Sequence, residues 1–277
     1  MNNVLLRSLT GAVFITVVLF PLFWKDEAAT TVFGAFMVLG LIEFFKLFKK
    51  SDSIHPSYEI GLVLGLLIFG LSTFIAYGYL SNIFYLTVVP LVFLGVLAEI
   101  WRKKENPLIN VGVTVLGIVY VTVPFVLMAL FNLENQTSLH QHNSFPLLAG
   151  MFILIWMNDT FAYLSGRFFG KTKLIERISP NKTWEGTIGG VIFTIAAGFA
   201  IGLIFDDQHI TFWVISAIII APCAAVGDLL ESLFKRNMGV KDSGNILPGH
   251  GGILDRFDAT LFTAPFFIAW TFIYMYF

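Results

Sequence analysis

The chain has 277 residues, 57% of them hydrophobic and 13% charged, with a mean hydropathy of +0.81, a composition far from that of soluble globular domains and suited to a membrane. A formal net charge of −1 excludes a generally basic nucleic-acid binder. The single cysteine, Cys223, excludes an internal disulfide and any multi-cysteine zinc site.

Charges partition the chain into spans. Between Glu59 and Glu99 lie 39 residues without one, a helix of about 58 Å, roughly twice the hydrocarbon thickness, so this stretch crosses twice with a break near Ser81-Asn82. With the other charge-poor windows, the pattern predicts nine helices at 8–24, 28–47, 60–79, 83–101, 109–131, 147–168, 185–205, 210–231 and 258–277. The first is followed by Lys25-Asp26-Glu27 rather than a small-residue cleavage site, and is read as a retained helix, not a signal peptide. The second extends to Phe48 if Glu43 pairs with Lys46 and both snorkel; Glu99 and Arg102 repeat that pattern at the end of the fourth. Both pairs read as interfacial anchors. Gly61/Gly65, Gly186/Gly190 and Gly198/Gly202 have the spacing that lets helices approach closely, and packing is their default role.

Orientation follows from Lys and Arg alone. Sixteen of the 17 fall in alternate connections, leaving Lys25 opposite, so the N-terminus is expected in the cytoplasm. The expected fold is all-α: one polytopic membrane domain over 1–277, in which 1–135 holds five helices of unassigned role and 145–277 holds four helices and the chemistry.

Polar residues concentrate late. On the eighth helix Asp228, Glu231 and Lys235 share a face at i, i+3 and i+7; Asp255 and Asp258 share one at the entry of the ninth; Asp159 stands on the sixth with Tyr163 and Arg167. Three helices thus deliver buried or half-buried aspartates to one side of the membrane, which is costly unless they are paired or bind a cation. Oxygen-only ligands suit Mg²⁺, which takes one or two carboxylates plus substrate phosphates. Structural pairing, such as Asp228 with Lys235 or Asp255 with Arg256, is the alternative. Between these helices the run Pro248-Gly249-His250-Gly251-Gly252 allows backbone N–H groups to converge on an anion at a helix start. Ser179 and Lys182, before the seventh helix, are candidate phosphate contacts. Gly166 to Thr172 is not a P-loop, because three residues rather than four separate its glycines. A polar cavity open to cytoplasm and lipid is expected between the sixth, eighth and ninth helices.

Ser232-Leu233-Phe234-Lys235-Arg236, Lys241-Asp242 and Leu247 to Asp258 together resemble the signature of the CTP:phosphatidate cytidylyltransferases, or CDP-diacylglycerol synthases. Asn158 to Tyr163 and Ser179 to Gly186 resemble the bacterial members. The resemblance implies a multi-pass enzyme of the inner membrane, its site facing the cytoplasm, that makes CDP-diacylglycerol and pyrophosphate from CTP and phosphatidate with Mg²⁺. It leaves a homodimer open. Metal ligation then falls to Asp228, Asp255 and Asp258, with Asp159 as a further ligand or orienter. Lys182, Lys235, Arg236, Lys241 and Arg256, beside Asp242, would clamp phosphates, and Ser179, Gly249, His250, Gly251 and Gly252 would line the nucleotide site. Competing readings are a CTP-dependent polyprenol kinase, another lipid-phosphate cytidylyltransferase, or a secondary transporter for an anionic solute.

Overall fold

A computed structural model describes residues 3–51, 53–138, 145–205, 209–246, 249 and 251–276. The chain is an all-α polytopic membrane protein. Its helices are α1 (Asn3–Trp24), α2 (Asp26–Phe48), α3 (Tyr58–Ala76), α4 (Val88–Arg102), α5 (Pro107–Gly117), α6 (Val123–Ser138), α7 (Leu147–Phe169), α8 (Trp184–Phe205), α9 (Ile210–Asn237) and α10 (Leu254–Tyr276). A 3-10 turn, Asn82–Thr87, leads into α4, and a π-helical turn, Ile118–Thr122, joins α5 to α6 within one span. Among the described residues eight helical segments are long and apolar enough to cross a bilayer, and Ser8–Trp24 is a shorter apolar stretch. All nine expected spans are therefore helical.

Two differences bear on function. The connection after α7 is a hairpin, with β1 (Lys173–Ile175) antiparallel to β2 (Ser179–Thr183) in the register Lys173 to Thr183 and Ile175 to Ser179. Helix α9 continues to Asn237, six residues beyond its expected end, so Asp228, Glu231 and Lys235 all ride on it.

The chain divides into two compact units. The first comprises Met1–Leu133 and Met238–Arg256, the second Glu134–Asn237 and Phe257–Phe277. In the first, Phe33, Met37, Leu41 and Phe44 of α2 are buried, and α2 packs on α1 and α3. In the second, α7, α8 and α9 pack on one another, with Trp213 and Phe152 buried.

The small-residue spacings serve packing, as expected. A Cβ on Gly186 would lie 2.8 Å from the Ala162 carbonyl oxygen on α7, and one on Gly198 would lie 2.6 Å from the Trp213 carbonyl oxygen on α9. Such backbone-to-backbone approach is what glycine permits between membrane helices, where dispersion contacts rather than water exclusion hold helices together. In the first unit Gly61 and Gly65 admit the side chains of Phe45 and Leu41.

The two look-alike helix ends diverge. Glu99 does pair with Arg102, Nη1 to Oε2 at 2.6 Å, and also accepts from the Ser57 hydroxyl and the Asn110 amide at 3.1 Å each. Glu43 does not snorkel: it is 3% exposed, whereas Lys46 is exposed. The expected Glu43–Lys46 anchor is thus corrected, because the side chains of these residues occupy opposite environments.

Candidate active site

In the second unit the site is built on α9, α10 and the hairpin. β2 carries Lys182 at a half-buried position, and its Nζ meets Asp228 Oδ2 at 2.6 Å while donating to the Ala225 carbonyl at 3.4 Å. The Ser232 hydroxyl, one turn further along α9, donates to Asp228 Oδ1 at 3.3 Å. Asp228 is thus fixed from two sides. The residue before it, Gly227, sets the distance to α10: a Cβ there would lie 2.7 Å from the Asp258 carbonyl oxygen and 3.0 Å from Ala259 Cα. Asp258 is half-buried, accepts the N–H of Ala259 on Oδ1 at 2.6 Å, and lies within electrostatic reach of Asp228, Asp159 and Lys235.

Structural pairing, the alternative to metal binding, would join Asp228 to Lys235. The structure pairs Asp228 with Lys182, and Lys235 with Glu231 on the same face of α9; Glu231 is fully buried and Lys235 is 9% exposed. Arg236 is exposed and donates through Nε to the Ile178 carbonyl at 3.3 Å, tying the end of α9 to the hairpin. Ser179 is half-buried on β2. Asp159 is exposed on the surface of α7, not buried. Sequence position gives depth in the membrane but not the direction in which a helix face looks. Glu185, in the first turn of α8, accepts the N–H groups of Lys171 and Thr172 at 3.0 and 3.1 Å and so closes the turn that follows α7.

In the first unit the glycine run is a turn held by carboxylates. Gly249 and Gly251 have φ of +77° and +81°, a conformation that L side chains resist. Asp255, at the start of α10, accepts from Ser243 N–H at 3.0 Å and Gly252 N–H at 2.8 Å, both on Oδ2. An acid in this first turn also suits the helix dipole. Gly252 is buried; Lys241, Asp242, Gly249 and Arg256 are exposed. His250 lies outside the described residues.

Among the described residues no three His, Cys, Asp or Glu side chains form a ready-made metal cage. Asp228 and Asp258, brought close by Gly227, offer the one or two carboxylates that Mg²⁺ takes from a protein when substrate phosphates complete its shell. The donor set fits that ion.

The profile of the cytidylyltransferase family matches residues 5–274. The chain belongs to this family. Relatives named phosphatidate cytidylyltransferase include one from Haemophilus influenzae, 42% identical over 176 residues, covering 61% of this chain and 59% of that protein. One from Staphylococcus haemolyticus is 38% identical over 189 residues, covering 68% and 69%. One from Staphylococcus aureus (strain COL) is 50% identical over 116 residues, covering 41% and 44%. The matched segment therefore spans between 44% and 69% of these three relatives.

Three acids of this family member escaped the sequence reading in their structural roles. Glu185 stands in the first turn of α8, where an acid suits the helix dipole, whereas Glu43 and Glu231 are buried inside apolar helices, where an ionisable group is expensive. That cost was the available signal.

Proposed function

We propose that the protein transfers the cytidylyl group of CTP to phosphatidate, giving CDP-diacylglycerol and pyrophosphate, at the cytoplasmic face of the bacterial inner membrane. The observation that carries this reading is family membership over residues 5–274 together with relatives bearing that enzyme's name. The Lys182–Asp228 pair beside Asp258 supports it, as a carboxylate and cation cluster on a membrane helix suited to a phosphate-rich substrate.

A phosphate oxygen of phosphatidate attacks the α-phosphorus of CTP; the bond from that phosphorus to the bridging oxygen breaks, and its electron pair leaves with pyrophosphate. No protein nucleophile is needed, so positioning and charge neutralisation supply the catalysis. Asp228 and Asp258 would hold Mg²⁺, which when bound neutralises phosphate charge. Lys182, held by Asp228 and the Ala225 carbonyl, offers a cation fixed in place before substrate arrives. Lys241 and Arg256 are exposed cations that draw CTP from water, and backbone N–H groups of the turn at Gly249 and Gly251 cradle phosphate oxygens. Asp255 fixes that turn. Arg236 fixes the hairpin that carries Lys182.

The test is product identification by mass spectrometry after purified protein is incubated with CTP, Mg²⁺ and phosphatidate. A CDP-lipid with stoichiometric pyrophosphate is expected. CDP with a phosphorylated lipid alcohol, formed when a polyprenol is supplied, would identify a kinase instead, and absence of turnover would favour a transporter.

A further inference from the structure

Glu43 stands near the end of α2, 3% exposed, and its Oε2 accepts the N–H of Leu254 at 2.8 Å. Leu254 opens α10, where N–H groups have no acceptor within their own helix, so Glu43 caps a helix start from far along the chain. The same carboxylate fills the space in which side chains on Gly244 and Gly252 would begin. The Ser243 hydroxyl and the Asp255 carboxylate are its polar neighbours. Glu43 Oε1 and Ser243 Oγ are both buried and make no hydrogen bond of standard geometry among the described residues.

Burying a carboxylate in an apolar helix opposes folding. What Glu43 gives in return is the shape of one turn. Gly249 and Gly251, both at positive φ, make that turn locally adaptable, and it is restrained from two directions: Asp255 holds the N–H groups of Ser243 and Gly252, and Glu43 holds Leu254 while wedged against Gly244 and Gly252.

We propose that Glu43 is a positioning residue for the glycine-rich turn, and that α2 thereby sets the conformation in which the turn receives the phosphates of the nucleotide. The proposal rests on the reading of the turn at Gly249 and Gly251 as a phosphate cradle. The acceptor oxygen and its volume do the positioning; the negative charge is not required. Gln fulfils both needs, since its carbonyl oxygen can accept the Leu254 N–H and its NH₂ can donate toward Ser243 or Asp255.

The test uses the full chain purified in detergent, with two readouts: hydrogen exchange of peptides covering residues 251–256, and kcat and KM for CTP. Glu43→Ala should accelerate exchange in 251–256 at least tenfold while leaving 147–169 unchanged, and should raise the KM for CTP about tenfold with a smaller change in kcat. Glu43→Gln should keep both within about threefold of the wild type. Should Glu43→Ala fail to purify, Glu43→Asp, one methylene short of the turn, carries the same expectation. Gly252→Ala should mimic the loss by displacing the carboxylate, and Glu43→Ala/Gly252→Ala should be no worse than either single change. Unchanged exchange in 251–256, equal damage in the Gln and Ala variants, or additive losses in the double variant would each overturn the proposal. The exchange readout stands apart from the reaction: a wild type with a protected 251–256 segment that made no CDP-lipid would refute the proposed activity and leave this test intact.

Discussion

Gly227→Ala is the smallest change that should separate the two aspartates. The added methyl would lie 2.7 Å from the Asp258 carbonyl oxygen, 3.0 Å from Ala259 Cα and 3.0 Å from Phe262 Cβ, where ordinary contact begins near 3.4 Å. Two of these atoms belong to the backbone of α10, so no flexible side chain can swing away, and α9 must move from α10 by about 0.7 Å at this level. Overpacking of this kind costs ~1–3 kcal/mol, less than typical global stability, so the protein should still insert and purify. Catalysis is less forgiving: a misplacement of about 1 Å can cost a factor of ~100, and a shift somewhat smaller than that predicts a ~10–100-fold fall in kcat/KM. Gly70→Ala on α3 is the control, because nothing lies within 4 Å of its would-be Cβ and Ala is the better helix former. Both variants would be assayed for CDP-lipid formation, with thermal unfolding in detergent run alongside. A Gly227→Ala enzyme within twofold of the wild type would refute the claim that the α9–α10 approach sets the geometry of Asp228 and Asp258.

If Asp228 holds Mg²⁺ as proposed, Asp228→Asn should lose about a hundredfold or more in turnover at saturating Mg²⁺ while the protein still purifies; near-normal turnover would take Asp228 out of the proposed metal site. Lys182→Ala and Arg256→Ala should each impair turnover at least tenfold, whereas Lys49→Ala and Lys103→Ala should stay within about twofold, a change of ~0.4 kcal/mol; an equal effect in all four would reduce the clamp to a general surface potential. Removing the hydroxyl that steadies Asp228, by Ser232→Ala, should cost a smaller factor of about 3–10, read as kcat at saturating CTP. For orientation, single cysteines at positions 50, 104 and 240, in a Cys223→Ser background, should resist impermeant reagents applied to intact cells, while one at 136 reacts; labelling at 240 would invert the topology.

The spans were legible because an apolar stretch bounded by charges leaves few alternatives in a bilayer. The overrun of α9 to Asn237 was not, since the polar residues from Ser232 onward continue the helix after the hydrophobic signal has ended. The hairpin was hidden for a related reason: strands of three and five residues, one holding Pro180, show no alternating pattern. In the site, sequence spacing grouped Asp228 with Lys235, but the partner that closes on it, Lys182, comes from β2, 46 positions earlier. Glu43 and Glu99 show the same limit from the other side. Each has a basic residue three positions on, yet one makes the local pair and the other reaches Leu254, so their difference lies wholly in long-range contacts.

Whether the α-phosphorus of CTP or its γ-phosphorus moves to a lipid is decided by the position of a radiolabel. Purified protein in phosphatidate-containing vesicles would be given CTP labelled at either phosphorus in parallel. The α-label should enter the lipid extract and the γ-label leave as pyrophosphate, with both processes lost in Asp228→Asn. Transfer of the γ-label to lipid, with the α-label remaining in water-soluble CDP, would contradict cytidylyl transfer.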